Sequence, residues 1–125
     1  MPGLEVVEVA LPAWSLPVAV PHHTKDDGPT PNMRAVLVAG PGSGVRGVVQ
    51  PCLDAYDVRV VPDFGIRSTR YVGCVVMCVD ELNASTAASI EELTWRYPIS
   101  RALLVLPLHA KNLRALAAQP TWSRV

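Results

Sequence analysis

The chain has 125 residues, half of them apolar, and its 11 basic residues are balanced by 11 acidic ones for a formal net charge of zero. That length allows a single domain, and the composition is that of a chain that buries a core rather than of a disordered one. The even balance, with Arg59, Arg67 and Arg70 scattered, excludes the concentrated basic excess of a nucleic-acid footprint, and no run approaches the roughly 20 apolar residues of a membrane span.

Residues 1–32 hold six of the twelve prolines: Pro2, Pro12, Pro17, Pro21, Pro29 and Pro31. Each fixes φ and removes a backbone donor, so long helices and central strands are not expected there. Leu4–Leu11 reads as one short strand and His22–Asn32 as an open linker. The N-terminus carries Glu5 and Glu8 and no Lys or Arg before Lys25, so it lacks the positive region of a secretory signal. The chain therefore divides into a Pro-rich leader or linker, 1–32, and an α/β domain, 33–125, whose abrupt ending suits a piece of a longer protein.

From Met33 onward apolar runs alternate with helical spacing. Arg34–Ala39 is a short apolar run of the kind found in strands buried on both faces, and it ends in the turn Gly40–Gly44. Val45–Tyr56 reads as a weak helix, with Val45, Val48, Val49, Leu53 and Tyr56 at helical spacing, or, because Pro51 stands in its interior, as two short turns instead. Asp57–Val61 is a second strand, stopped by Pro62. The eleven residues from Pro62 to Val72 are short for a helical crossover. Gly73–Val79 is a third strand, with Cys74, Val76 and Cys78 on one face and Val75, Met77 and Val79 on the other. Ser85 or Thr86 caps a helix to about Tyr97, with Ala87, Ile90, Leu93 and Tyr97 as its apolar stripe. Arg101–Leu106 is a fourth strand, and His109–Ala118 a last helix with Leu113, Leu116 and Ala117 inward.

This order predicts a small, mostly parallel sheet of about four strands with helices on both faces, flavodoxin-like or receiver-like. The three cysteines are odd in number, and Cys74 and Cys78 lie inside an apolar run. Free thiols in a reducing compartment, hence a cytoplasmic protein, explain them better than a disulfide framework.

Two constellations carry candidate chemistry. Gly42, Gly44 and Gly47 match G-x-G-x-x-G after a strand, preceded by Gly40, and Asp63 lies 21 residues beyond Gly42, where a ribose-binding carboxylate belongs. Against dinucleotide binding stand the longer turn that Gly40-Pro41 makes and the proline inside the following helix. No Gly-Lys-Ser/Thr follows, so the loop is no NTPase phosphate loop. A small nucleotide- or dinucleotide-binding protein or enzyme fragment remains the alternative reading.

The second is Asp80, at the carboxyl end of the third strand, where ligands of doubly wound sheets bind. The run Cys74–Asp80 and the order of elements from Arg34 onward resemble the receiver domain of bacterial response regulators, in which the third strand ends in a phospho-accepting aspartate. The chain departs from that pattern at Gly40-Pro41, where receivers carry paired acids, and at Leu106-Pro107, where they carry Ser or Thr. The resemblance therefore implies a degenerate receiver that signals by contact, with Asp80 as the regulatory candidate and neither cofactor, metal nor catalysis. Such domains often precede DNA-binding domains in transcription regulators, so the implied partner is another protein or a C-terminal domain of the same chain; nucleic acid and membrane are not expected partners of this segment. His22 and His23 with Asp26 and Asp27 lack the spacing of a rigid metal site. His109 and Lys111 have no nucleophile placed with them, and Cys52, Cys74 and Cys78 form no C-x-x-C pair.

Overall fold

The computed structural model describes residues 14–21, 32–66, 72–97 and 101–124. In chain order the elements are β1 (Ser15–Ala19), β2 (Asn32–Ala39), α1 (Ser43–Val49), a 3-10 turn (Gln50–Leu53), β3 (Asp57–Val61), β4 (Val72–Cys78), α2 (Ala84–Arg96), β5 (Ala102–Pro107), α3 (Ala110–Ala117) and the two-residue β6 (Ser123–Arg124). The protein is thus α/β. Among the described residues its sheet is six-stranded and mixed, in the order β3-β2-β4-β5-β1-β6. β3, β2, β4 and β5 are mutually parallel, whereas β1 runs antiparallel to both β5 and β6.

Two expectations are corrected here. Six strands, rather than about four, are found among the described residues, and the sheet is mixed. One of the added strands, β1, comes from the stretch read as leader, so the boundary drawn at Met33 does not coincide with the edge of the sheet. Proline density misled that reading. Pro17 sits opposite Val105 in β1, and on the other side of β1 the pairs among the described residues are those of Val18 and Ala19 with the two-residue β6, toward the margin of the sheet, where a residue without an N–H is accommodated. Val18 is fully buried and Val20 nearly so, which ties this segment to the core. Leu4–Leu11 lies outside the described residues.

Apolar residues on both faces of the parallel strands build two cores. Leu37, Ala39, Val75, Met77, Leu104 and Leu106 pack with Ala87, Ile90 and Leu93 of α2 and Leu116 of α3. On the opposite face Val36, Val38, Val76, Cys78 and Val105 pack with Val45 and Val49 of α1 and with Leu53. Helices therefore cover both faces, and the alternation read along β4 holds. Among the described residues no helix is long and apolar enough to cross a membrane.

Local chemistry sets the helix boundaries. Pro51 ends α1 and stands in the first turn of the 3-10 segment, where a missing N–H costs nothing; the single helix over Val45–Tyr56 is thereby replaced by its alternative, two short turns, with Val48 exposed rather than inward. α2 is capped by Asn83, not by Ser85 or Thr86: its Oδ1 accepts the Thr86 N–H at 2.9 Å. It ends at Tyr97, extended as befits the residue before a proline. In α3 the inward residues are Asn112 and Leu116, four apart, while Leu113 is half-buried and Ala117 exposed. The expected stripe was off by one position because it assumed that only an apolar side chain would face the sheet.

Candidate functional site

β2 has β3 on one side and β4 on the other, so the strand order reverses between β2 and β4. Ligands of open parallel sheets bind outside the carboxyl ends at such a point. Two loops meet there, Gly40–Gly42 after β2 and Val79–Asn83 after β4.

The first loop is pressed onto the end of β4. Gly40 adopts φ +115°, and a Cβ there would collide with the Cys78 carbonyl; only glycine combines that conformation with that approach. A Cβ on Gly42 would lie 2.8 Å from the Cys78 carbonyl oxygen and from the Asp80 nitrogen. The Gly42 N–H donates to the Cys78 carbonyl at 3.0 Å, and the Gly40 N–H to the Asp63 carbonyl at 2.9 Å. Arg46 closes the far side, its Nη1 donating to the Gly40 carbonyl at 2.6 Å.

Asp80 is exposed, and its Oδ1 accepts the Val45 N–H at 3.2 Å. The strand-end acid thus satisfies a donor in the first turn of α1 and lays negative charge against the positive end of that helix. Behind it, the Cys78 thiol is pushed up to about 12 by burial, opposed by Arg46 and reinforced by the Asp80 carboxylate. Burial likewise raises Cys74 to about 11, with Arg101 opposing. Both remain protonated at neutral pH, which removes the thiolate that nucleophilic chemistry requires.

The candidate glycines separate into two groups. Gly40, Gly42 and Gly44 gather around Cys78 and Asp80. Gly47 stands apart, with no atom within 4 Å of a Cβ built on it, whereas the last glycine of a dinucleotide fingerprint exists to let helix and strand pack closely. Asp63 reaches the loop through its backbone; its Oδ1 accepts the Gly65 N–H at 2.7 Å in a local turn.

A residue that the sequence reading passed over organises the other side. Asn112 is fully buried. Its Oδ1 accepts the Leu82 N–H at 2.9 Å, and its Nδ2 donates to the Pro107 carbonyl at 2.9 Å and the Asp80 carbonyl at 3.3 Å. His109 caps α3, Nδ1 accepting the Asn112 N–H at 3.3 Å. Lys111 forms an exposed ion pair with Glu81 at 3.2 Å. His109 and Lys111 are thus engaged in local structure. Among the described residues no group of three or more His, Cys, Asp or Glu side chains is placed to hold a metal. His22, His23, Asp26, Asp27, Arg67 and Arg70 lie outside them. Set against protein-family models, curated proteins and solved structures, the chain finds no match.

Proposed function

We propose that this domain is a non-catalytic regulatory or interaction module of receiver-like type, in which the strand-end aspartate serves as a structural cap rather than a phospho-acceptor. The observation that carries the reading is the Asp80–Val45 hydrogen bond. It gives the acid a role in joining β4 to α1, and the loop after β2 offers Gly40 and Pro41 where magnesium-binding acids would stand. The order of the four parallel strands, β3-β2-β4-β5, supports a flavodoxin-like core, since doubly wound sheets of that class place their strands in the same sequence. The place a phosphate would take at the start of α1 already receives the Asp80 carboxylate, which would repel a second anion; this favours the module over a nucleotide-binding protein.

Incubating the full chain with acetyl phosphate and magnesium and weighing it intact tests the reading. The mass is expected to stay unchanged. A phosphoryl adduct that disappears in Asp80→Asn, which keeps an acceptor for the Val45 N–H, would overturn it, and saturable binding of ATP or NAD would favour the nucleotide reading.

A further inference from the structure

Gly47 stands in the interior of α1, where glycine is the poorest helix former after proline. Packing does not require it, because no atom lies within 4 Å of a Cβ built there. The bare position forms part of the wall of an open groove of about 520 Å³, a volume within the roughly 300–1,000 Å³ of small-molecule sites.

The local helical geometry builds this groove. The chain passes from α1 into the 3-10 segment without leaving the right-handed helical region at Val49, Gln50 or Asp54. Residues three, four and seven positions beyond Gly47 therefore follow it along one face. They are Gln50, Pro51 and Asp54, all exposed and all lining the groove. Across from them, at the start of β3, stand the half-buried Tyr56 and Val58. Both pack against the core cluster that contains Leu53, which is buried beneath the groove. The groove thus opens at the amino end of β3, whereas Asp80 follows the carboxyl end of β4, a strand that runs in the same direction.

The lining selects a class of ligand. Pro51, Leu53, Tyr56 and Val58 offer apolar surface, part of it from rings, which suits a flat apolar body. Among the described residues that line the groove Asp54 alone is charged, and the face of a tyrosine ring also attracts a cation. Arg34, whose Nη1 donates to the Ala55 carbonyl at 3.2 Å, does not line it. We propose that this groove binds a small organic cation, a protonated amine carried on a flat apolar ring, with the amine beside Asp54 and the ring against Pro51, Leu53 and Tyr56. Gly47 is bare so that the ring can enter. The site is separate from the Asp80 loop, and the proposal stands whether or not the domain is receiver-like.

Tryptamine, protonated at neutral pH, is the probe, and indole-3-acetate carries a like ring with the opposite charge. Titrating each into the full chain while following backbone amide shifts by NMR tests the site. Tryptamine is expected to shift the amides of residues 47–58 saturably, with a Kd on the order of 1 mM for so small a ligand in an open groove. Indole-3-acetate should bind about threefold more weakly, and Asp54→Asn should bring the two affinities together. Gly47→Leu should abolish the shifts by filling the groove, yet melt no lower than the wild type, since leucine is the better helix former. Shifts that do not saturate or that lie elsewhere would overturn the proposal, as would equal affinity of the wild type for the two probes or unchanged tryptamine binding by a folded Gly47→Leu variant. A Gly47→Leu variant that fails to fold would remove the premise that nothing requires glycine there. Shifts at 47–58 that follow protein concentration alone would seat a second copy of the chain in the groove and overturn the proposal as well.

Discussion

Asn112→Ala removes the side chain that ties the loop after β4 to the end of β5. Three hydrogen bonds go, to Leu82 N–H and to the Pro107 and Asp80 carbonyls, from a position with no solvent exposure. The carbonyls belong to half-buried and exposed residues and can be recovered by water. The Leu82 N–H is the costly one, because Leu82 is buried and an orphaned buried donor costs about 1–3 kcal/mol. The space left by the missing amide adds roughly another 1 kcal/mol, and the better helix propensity of alanine returns about 0.5 kcal/mol. The net loss is about 2–3 kcal/mol, a large fraction of the ~5–15 kcal/mol that holds a small domain together, and corresponds to a Tm lower by roughly 10 °C. Urea melts followed by tryptophan fluorescence measure it. Asn112→Asp sharpens the test: the carboxylate keeps an acceptor for Leu82 but faces two carbonyls, so it should be at least as damaging at neutral pH. On acidification its protonated oxygen can donate to Pro107, and part of the stability should return. A loss within ~0.5 kcal/mol for the alanine variant, the range of an ordinary surface change, would refute this account of Asn112.

The remaining expectations concern the core. Val76→Asp and Met77→Asp point to opposite faces of β4, yet both positions are buried, so each should cost several kcal/mol in a urea melt; a soluble, cooperatively melting protein from either would count against the doubly covered sheet. The thiols make stability fall in alkali. Unfolded cysteines ionise near 9.0, whereas folded Cys74 and Cys78 hold their protons to about 11 and about 12. Above pH 9 the unfolded state therefore binds fewer protons than the folded one, and stability drops by up to ~1.4 kcal/mol per pH unit for each thiol, with no contribution below pH 8. The difference in melting between the wild type and Cys74→Ala/Cys78→Ala isolates this slope, and parallel profiles for the two proteins would refute it.

Strands buried on both faces announce themselves, since they need apolar side chains at consecutive positions. β2, β4 and β5 were legible for that reason, and β3 was recognised from its valines and the proline that stops it. β1 was not legible. Its five residues carry a proline and no long alternation, and its place in the sheet depends on a partner, β5, whose sequence says nothing about β1. Asp80 could be singled out by position alone, but its bond runs to the backbone N–H of Val45, and no side-chain pattern encodes a backbone donor. Asn112 left one usable signal. It stands four residues before Leu116, so the inward face of α3 can be drawn through it once a buried amide is admitted as an inward residue.

The antiparallel pairing of β1 also orders events in time. Its partners run from Pro107, opposite Ser15, to Leu103, opposite Ala19, so a strand near the beginning of the chain completes the sheet only with one near its end. Synthesis proceeds from the N-terminus, and the parallel pair of β2 and β3, linked through α1, closes over a short span. β1 meanwhile has emerged before either and waits, with Leu16 and Val18 lacking their places beside Leu106 and Leu104 until the residues of β5 have been made. Closing so long a loop costs only slightly more entropy than closing a shorter one, but such distant contacts form late and slow the folding of the whole. The earliest of the described strands to be synthesised is therefore among the last to be built in.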